Sequence, residues 1–341
     1  MSIGQPALVI TTIAPPTPAV LRFRELLPDW SLIVVGDRKT PASWQVDGAT
    51  YLPHDRAPAS AAELAELLPF NSYSRKNLGF LKALELRAPV VIETDDDNYP
   101  YETFGSDLRR SVRGRPVRQS GWVNVYRAFT DARVWPRGLP LVHTGPSFLE
   151  PLPLDEPVEV ECPIQQFLAD GDPDVDAIYR LIDGRDVTFA GEAILLEPGT
   201  YSPFNSQNTV WWPEAYPLLY LPSYVSMRIT DIWRGLVATA VANARSWTIA
   251  FMPPTVRQIR NAHDLMHDFS DEIQAYLENA RILDRLLDGV GDKNDVTAGL
   301  LKAYQVLYTL ELVPRAELDL VRKWAASVER TLADAGVDAT A

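Results

Sequence analysis

The sequence predicts an α/β protein, a parallel sheet with helices on its faces, followed by a helical C-terminal appendage. Three observations carry this. Short β-branched runs alternate with amphipathic segments over about the first hundred residues, the pattern of βαβ units. From about residue 100 to 222 the text turns to short strands, prolines, glycines and aromatic clusters. Beyond about Tyr224 proline thins and apolar residues recur every three or four positions, the spacing of amphipathic helices. We therefore expect an α/β unit over residues 1–224 and a mainly helical region over 225–341.

Each element has its own signal. Ala7 to Ile13, closed by Ala-Pro-Pro, reads as a buried strand. A helix over about Pro18 to Leu27 presents Val20, Leu21, Leu26 and Leu27, and Ser31 to Gly36 supplies a second strand that ends at Asp37. Strand, helix and strand in so short a span favour parallel pairing. Helices are expected over about Ser60 to Leu68 and Ser74 to Leu86, then a buried strand from Pro89 to Thr94. Further strands are expected at Trp122 to Tyr126, Asp186 to Phe189 and Ala193 to Glu197. The C-terminal helices are expected over Val225 to Ala244, Val256 to Leu287, Val296 to Leu312 and Ala316 to Ala335.

Composition narrows the function. The 341 residues include 32 basic and 45 acidic ones, a formal charge of −13. Binding nucleic acid requires a concentrated basic surface, and here the basic residues are scattered, so no nucleic-acid partner is expected. The short basic run from Arg109 to Arg115 reads as a solvated loop or a place that meets an anionic ligand. A single cysteine, Cys162, forms no intramolecular disulfide and builds no thiolate metal site by itself. No basic leader and no apolar stretch of membrane length opens the chain, so a cytoplasmic protein without a transmembrane segment is expected, with peripheral membrane contact left open.

The most informative chemistry is Asp95-Asp96-Asp97, placed at the carboxyl end of a buried strand. Ligands of open α/β sheets bind at that end, and neighbouring carboxylates there call for a cation to offset their repulsion. Hard oxygen donors favour Mg²⁺ or Mn²⁺ held by one or two side chains, the remaining positions going to water and substrate phosphates. Asp37, at the end of the second strand, suits a ribose or base N–H and equally suits an Asx-turn. No Gly-x-Gly-x-x-Gly and no P-loop pattern occurs. Ser74-Arg75-Lys76-Asn77, opening a helix, offers a phosphate cradle instead.

Several segments together resemble the STELLO-type glycosyltransferase-like family: Val9 to Thr17, Val34 to Pro41, Leu68 to Gly79 and Glu93 to Asn98, continued by Val134 to Pro140, Pro173 to Leu181 and Thr230 to Gly235. More distantly the chain is similar to the reversibly glycosylated polypeptides, which are nucleotide-sugar mutases. The resemblance implies a GT-A type, Rossmann-like nucleotide-sugar-binding sheet with an Asp-x-Asp metal site. It places Thr11, Thr12 and Asp37 at the nucleoside, Arg75, Lys76 and Asn77 at the ribose and diphosphate, Asp95 and Asp96 at the donor, and Asp95 and Asp97 on a Mn²⁺ or Mg²⁺ ion.

The reaction so implied is transfer of a sugar from a nucleotide-sugar donor to a carbohydrate or glycoconjugate acceptor. In an inverting mechanism a carboxylate takes the acceptor proton, and Asp231, at a helix start, is the expected base. Trp211 and Trp233, with Arg234, are expected against the acceptor, and His263 is expected to complete the metal shell. Two other readings use the same pocket, a nucleotide-sugar mutase and a silent nucleotide-sugar-binding scaffold.

Overall fold

The structure is a computed structural model that describes residues 4–146, 150–260, 264–291 and 295–335. His263 lies outside the described residues. The strands are β1 (Ala7–Thr12), β2 (Ser31–Gly36), β3 (Ala49–Leu52), β4 (Val91–Asp95), β5 (Asn98–Pro100), β6 (Ser111–Pro116), β7 (Gly121–Trp122), β8 (Val158–Glu161), β9 (Ile164–Gly171), β10 (Ile194–Leu196), β11 (Thr200–Tyr201), β12 (Asn208–Trp211) and β13 (Ile249–Gln258). The helices are α1 (Pro18–Leu26), α2 (Ala62–Leu67), α3 (Lys76–Glu85), α4 (Ala177–Ile182), α5 (Thr230–Ala244), α6 (Leu265–Val290), α7 (Val296–Thr309) and α8 (Arg315–Ala335). One mixed sheet runs in the order β3-β2-β1-β4-β12-β9-β13-β10-β6-β8, with β5 paired to β13.

The expected parallel unit is present. β3, β2, β1 and β4 are mutually parallel neighbours. The chain moves outward from β1 to β3 and returns to β4 on β1's other side, so the sheet switches direction between β1 and β4. That switch opens a crevice at the carboxyl ends of the strands. Alternation along β1 feeds two cores. Leu8 and Ile10 pack with Val20 and Phe23 of α1, while Ala7 and Val9 pack with Leu78 and Phe80 of α3. Helix α3 lies close on the sheet because Gly79 has no side chain. A Cβ there would stand 2.6 Å from Val9 and 2.7 Å from Val35.

From β12 onward the sheet is mixed. β12 is antiparallel to both β4 and β9, and β9 is parallel to β13. Strand β13 corrects two expectations. It carries Val256, read as the start of a helix, and that helix instead begins at Leu265 as α6, with Asp264 capping it. It also lies inside the main sheet although it comes after residue 224, so the expected boundary cuts through one layer. Pro253 and Pro254 fall where the pairing of β13 with β9 shifts register, between Met252 and Val256. A bulge accommodates residues that cannot donate to the ladder.

Other differences are local. The basic run from Arg109 to Arg115, read as a loop or an anion contact, lies from Ser111 onward in β6, paired with β8. Trp122 to Tyr126 splits into the two-residue β7 and a 3-10 turn, and Asp186 to Phe189 contributes only an isolated bridge through Val187. The helix expected from Val225 begins at Thr230. Helix α5 reaches the sheet through Arg234, which pairs with Glu93 of β4, and α5 to α8 pack on one another, with α8 also against α3, around Trp233, Leu286, Tyr304 and Trp324. Among the described residues no helix is long and apolar enough to cross a membrane.

Candidate active site

The crevice at the β1–β4 switch is a cleft of about 340 Å³ lined by Thr11, Thr12, Asp37, Tyr73, Asp95, Asp96 and Asp97 on the sheet side. Met227, Arg228, Gln258 and Arg260 line it as well. Parallel register explains the convergence. Thr11 stands beside Val35 of β2 and beside Asp95 of β4, so residues at or just past the ends of all three strands share one rim.

Asp37 is fixed by its neighbours. Its carboxylate accepts from the backbone N–H of Arg38 at 2.7 Å and of Ser72 at 3.2 Å. Its own N–H donates to Thr40 Oγ1 at 2.8 Å, and that hydroxyl donates to the carbonyl of Thr12 at 2.7 Å. The end of β2 is thereby tied to the end of β1. Asp37 is buried, with the Arg75 guanidinium 3.9 Å away.

The three aspartates have distinct surroundings. Asp95 Oδ1 accepts from the Tyr73 hydroxyl at 2.7 Å and faces Lys76 Nζ at 3.4 Å. Asp96 accepts from the Thr12 hydroxyl, and its carbonyl accepts from Thr17 Oγ1, the residue that caps α1. Burial pushes the Asp96 carboxyl up, against the Thr12 hydrogen bond. Asp97 Oδ2 accepts from Gln258 of β13 at 3.2 Å, while Oδ1 is shut off from water with no hydrogen-bond partner. Burial first, and then the Asp95 charge, raise Asp97 to about 7.

These groups fit a hard divalent cation. An unpartnered carboxylate oxygen beside a second carboxylate is the donor set Mg²⁺ or Mn²⁺ uses through one or two protein ligands, and a cation relieves the carboxylate repulsion that adds to burial in raising Asp97. Among the described residues no three acidic, histidine or cysteine side chains are grouped to hold an ion alone. Phosphate and water oxygens would have to complete the shell.

The cradle expected from Ser74 to Asn77 is arranged differently. Tyr73–Arg75 is a 3-10 turn capped by Ser72, and α3 begins at Lys76. Lys76 is fully buried and donates to Tyr73 Oη at 2.9 Å and to the Thr94 carbonyl at 2.8 Å. Asn77 clamps the backbone of Leu221, donating to its carbonyl and accepting from its N–H, each at 2.9 Å. Arg75 is buried, donates to the His54 carbonyl at 3.0 Å and stacks under Phe70. None of the three lines the cleft. A buried helix start positions the rim from below, where the sequence alone reads an exposed anion site.

The acceptor and base assignments are corrected by burial. Trp211 and Trp233 are both 0% exposed and Arg234 is 1% exposed, which leaves no face for a sugar. Trp211 Nε1 donates to Glu93 at 2.9 Å, Arg234 pairs with Glu93 at 2.6 Å, and Trp233 Nε1 donates to Asn279 at 3.0 Å. Asp231 is also buried, and Arg137 grips it with both terminal nitrogens. Burial alone would raise its carboxyl, but the Arg137 charge and hydrogen bonds hold it below the ordinary carboxylate range. A carboxylate so engaged, off the cleft lining, is a poor proton acceptor.

The other titratable motifs are structural too. Asp172 pairs with Arg180, Asp174 with Arg137, and Asp176 caps α4 while accepting from Trp135. Cys162 is buried, and its thiol is pushed up to about 12 by burial and Glu161. Among the cleft residues that went unread in the sequence are Tyr73, Arg228, Gln258 and Arg260. Tyr73 stood inside a motif that carried the resemblance, Leu68 to Gly79, which was the available signal. Arg260 is lowered to about 10 by burial and by Arg180 and Arg228, so the wall facing the aspartates is a mixed cluster in which Arg228 also pairs with Glu272.

A doubly wound parallel half-sheet, extended by a mixed sheet and followed by C-terminal helices, defines a GT-A-like Rossmann fold. Comparison with known sequences agrees. The family model of the STELLO glycosyltransferases matches residues 228–326. The chain is 28% identical over 282 residues to the probable glycosyltransferase STELLO2 of Arabidopsis thaliana, covering 76% of this chain and 36% of that protein. It is 26% identical over 289 residues to the probable glycosyltransferase STELLO1 of the same plant, covering 78% and 37%. These matches support assignment to the STELLO type, and the chain spans about a third of the length of the curated relatives it matches.

Proposed function

We propose that this chain is a nucleotide-sugar-dependent glycosyltransferase that passes a sugar to a carbohydrate or glycoconjugate acceptor. The observation that carries the reading is the cleft at the sheet's switch point, where Thr11, Asp37 and the three aspartates meet. Two relatives named as probable glycosyltransferases support the same class.

In this reading Thr11, Thr12 and Asp37 receive the nucleoside, with Asp37 held rigid by Ser72, Arg38 and Thr40. Asp95 and Asp97 hold a Mn²⁺ or Mg²⁺ ion, which when bound neutralises charge on the departing diphosphate. Asp96, tied to Thr12 and Thr17, keeps the ends of β1 and β4 together. Arg228 and Arg260 bring positive charge to the opposite wall. Prearranged charge of this kind favours a transition state in which negative charge grows on the leaving group.

The test is thermal denaturation with a panel of nucleoside diphosphates and nucleotide sugars, with and without Mn²⁺. One member of the panel should raise the unfolding temperature, and more so with Mn²⁺. No stabilisation by any of them would remove the donor site. Released nucleoside diphosphate marks transfer, whereas an isomerised free nucleotide sugar marks a mutase.

A further inference from the structure

Both protein donors to Asp95 reach the same oxygen. Tyr73 Oη donates to Oδ1 at 2.7 Å, and Lys76 Nζ approaches Oδ1 at 3.4 Å. The Tyr73 hydroxyl is itself held from behind. It accepts from Lys76 Nζ at 2.9 Å and meets the Ser206 hydroxyl, which also reaches Asp231 Oδ2 at 3.3 Å. Lys76 is anchored by the Thr94 carbonyl and by the buried Glu93 carboxylate 3.8 Å away. Tyr73 is the one of these supporting groups that lines the cleft.

We infer that Tyr73 is a positioning residue for Asp95. Its hydroxyl, fixed by Lys76 and Ser206, occupies Oδ1, sets the rotation of the carboxylate and leaves Oδ2 for the ligand in the cleft. A phenylalanine fills the same space without the hydroxyl. In that variant the Asp95 carboxylate loses its neutral donor, and the ammonium of Lys76 remains its nearest protein partner. Partners one shell out from a metal ligand change affinity by about ten- to a hundredfold when removed. The inference rests on the donor-site reading above, and its test separates the two.

The experiment counts Mn²⁺ bound by the whole chain, from the electron-spin resonance signal of the free ion, in the wild type, Y73F, D95N and the Y73F/D95N pair. Unfolding temperatures are measured without metal alongside. Y73F should weaken Mn²⁺ binding about tenfold, and in the D95N background it should cost nothing further, because interacting residues are non-additive. Equal affinity of Y73F and wild type, or an additive loss in the pair, overturns the inference. Should Y73F not fold, S206A removes the other hydroxyl partner; it should lower affinity in the same direction, and unchanged affinity overturns the inference. A wild type that binds neither Mn²⁺ nor any nucleotide would instead sink the donor-site reading on which it stands.

Discussion

Arg137 holds Asp231 in a two-pronged ion pair, with Nη1 at 3.0 Å from Oδ1 and Nη2 at 2.9 Å from Oδ2, although the two residues are 94 apart in the chain. The same guanidinium reaches back to Asp174 at 2.7 Å, and Asn205 closes the cluster at 2.6 Å from Asp174. One buried cation thus ties the start of α5 to the turn before α4. Asp231→Asn should therefore act on stability. Breaking one arm of a buried ion cluster costs about 3 kcal/mol, read as a lower denaturant midpoint at neutral pH, with nucleotide-linked stabilisation retained in whatever fraction stays folded.

The pH dependence of Asp231 has a definite sign. Its folded carboxyl lies below the ordinary value, so its contribution is complete above about pH 4 and is lost as pH falls through the lower, folded value. Wild type should lose stability in that acid window more steeply than Asp231→Asn, in denaturant titrations run at a series of pH values.

Asp97 has the opposite sign. Its folded carboxyl is raised to about 7, so between the ordinary carboxylate value and about 7 the folded state binds the extra proton. Without metal, stability should fall as pH rises across that window and level off above it. Asp97→Asn should flatten this slope, and its midpoint should exceed that of wild type at pH 8. A slope unchanged in the variant would show that Asp97 titrates normally.

Gly79→Ala tests the close approach of α3 to the sheet. The new methyl would stand 2.6 Å from Val9 and 2.7 Å from Val35, inside a packed core. Overpacking of this kind costs about 1–3 kcal/mol, which outweighs the helix-propensity gain of about 1 kcal/mol from replacing glycine. The net loss should appear as a lower unfolding temperature.

Trp233→Phe separates a core role from an acceptor role. It removes the donor to Asn279 Oδ1, a loss of about 1 kcal/mol, and it leaves Asn279 bonded to the Gly138 carbonyl. Stability should drop while the acceptor KM stays as in wild type. A raised KM with unchanged stability would return Trp233 to the acceptor site.

What the sequence disclosed divides by the range of the interactions. β1, α1, β2, α3 and β4 were legible because continuous β-branched runs and a close helix leave a local record, and the carboxyl ends of those strands located Asp37 and Asp95 to Asp97 on the cleft. β13 was misread because its two prolines look like a break, and its place is set by pairing with β9, more than eighty residues earlier. Asp231 sits at a helix start whether it serves as a base or an anchor, and only the position of Arg137 decides. Trp211, Trp233 and Arg234 are residue types found equally in sugar sites and cores, and their burial is a property of the assembled sheet and helices. Tyr73 escaped notice because its role depends on Lys76 beneath it and Ser206 from a distant strand approach.

The location of β13 also orders the birth of the molecule. The strand stands between β9 and β10, joining the β1–β4–β12 side of the sheet to the β10–β6–β8 side, yet it is made after both. A nascent chain that has emerged only through β12 holds two sheet fragments with facing unpaired edges. Such edges recruit other chains, and long-range pairing is the slow part of folding. During synthesis the interval between β12 and Gln258 is thus the period of greatest exposure to self-association, and it ends when the bulged strand slides into its slot.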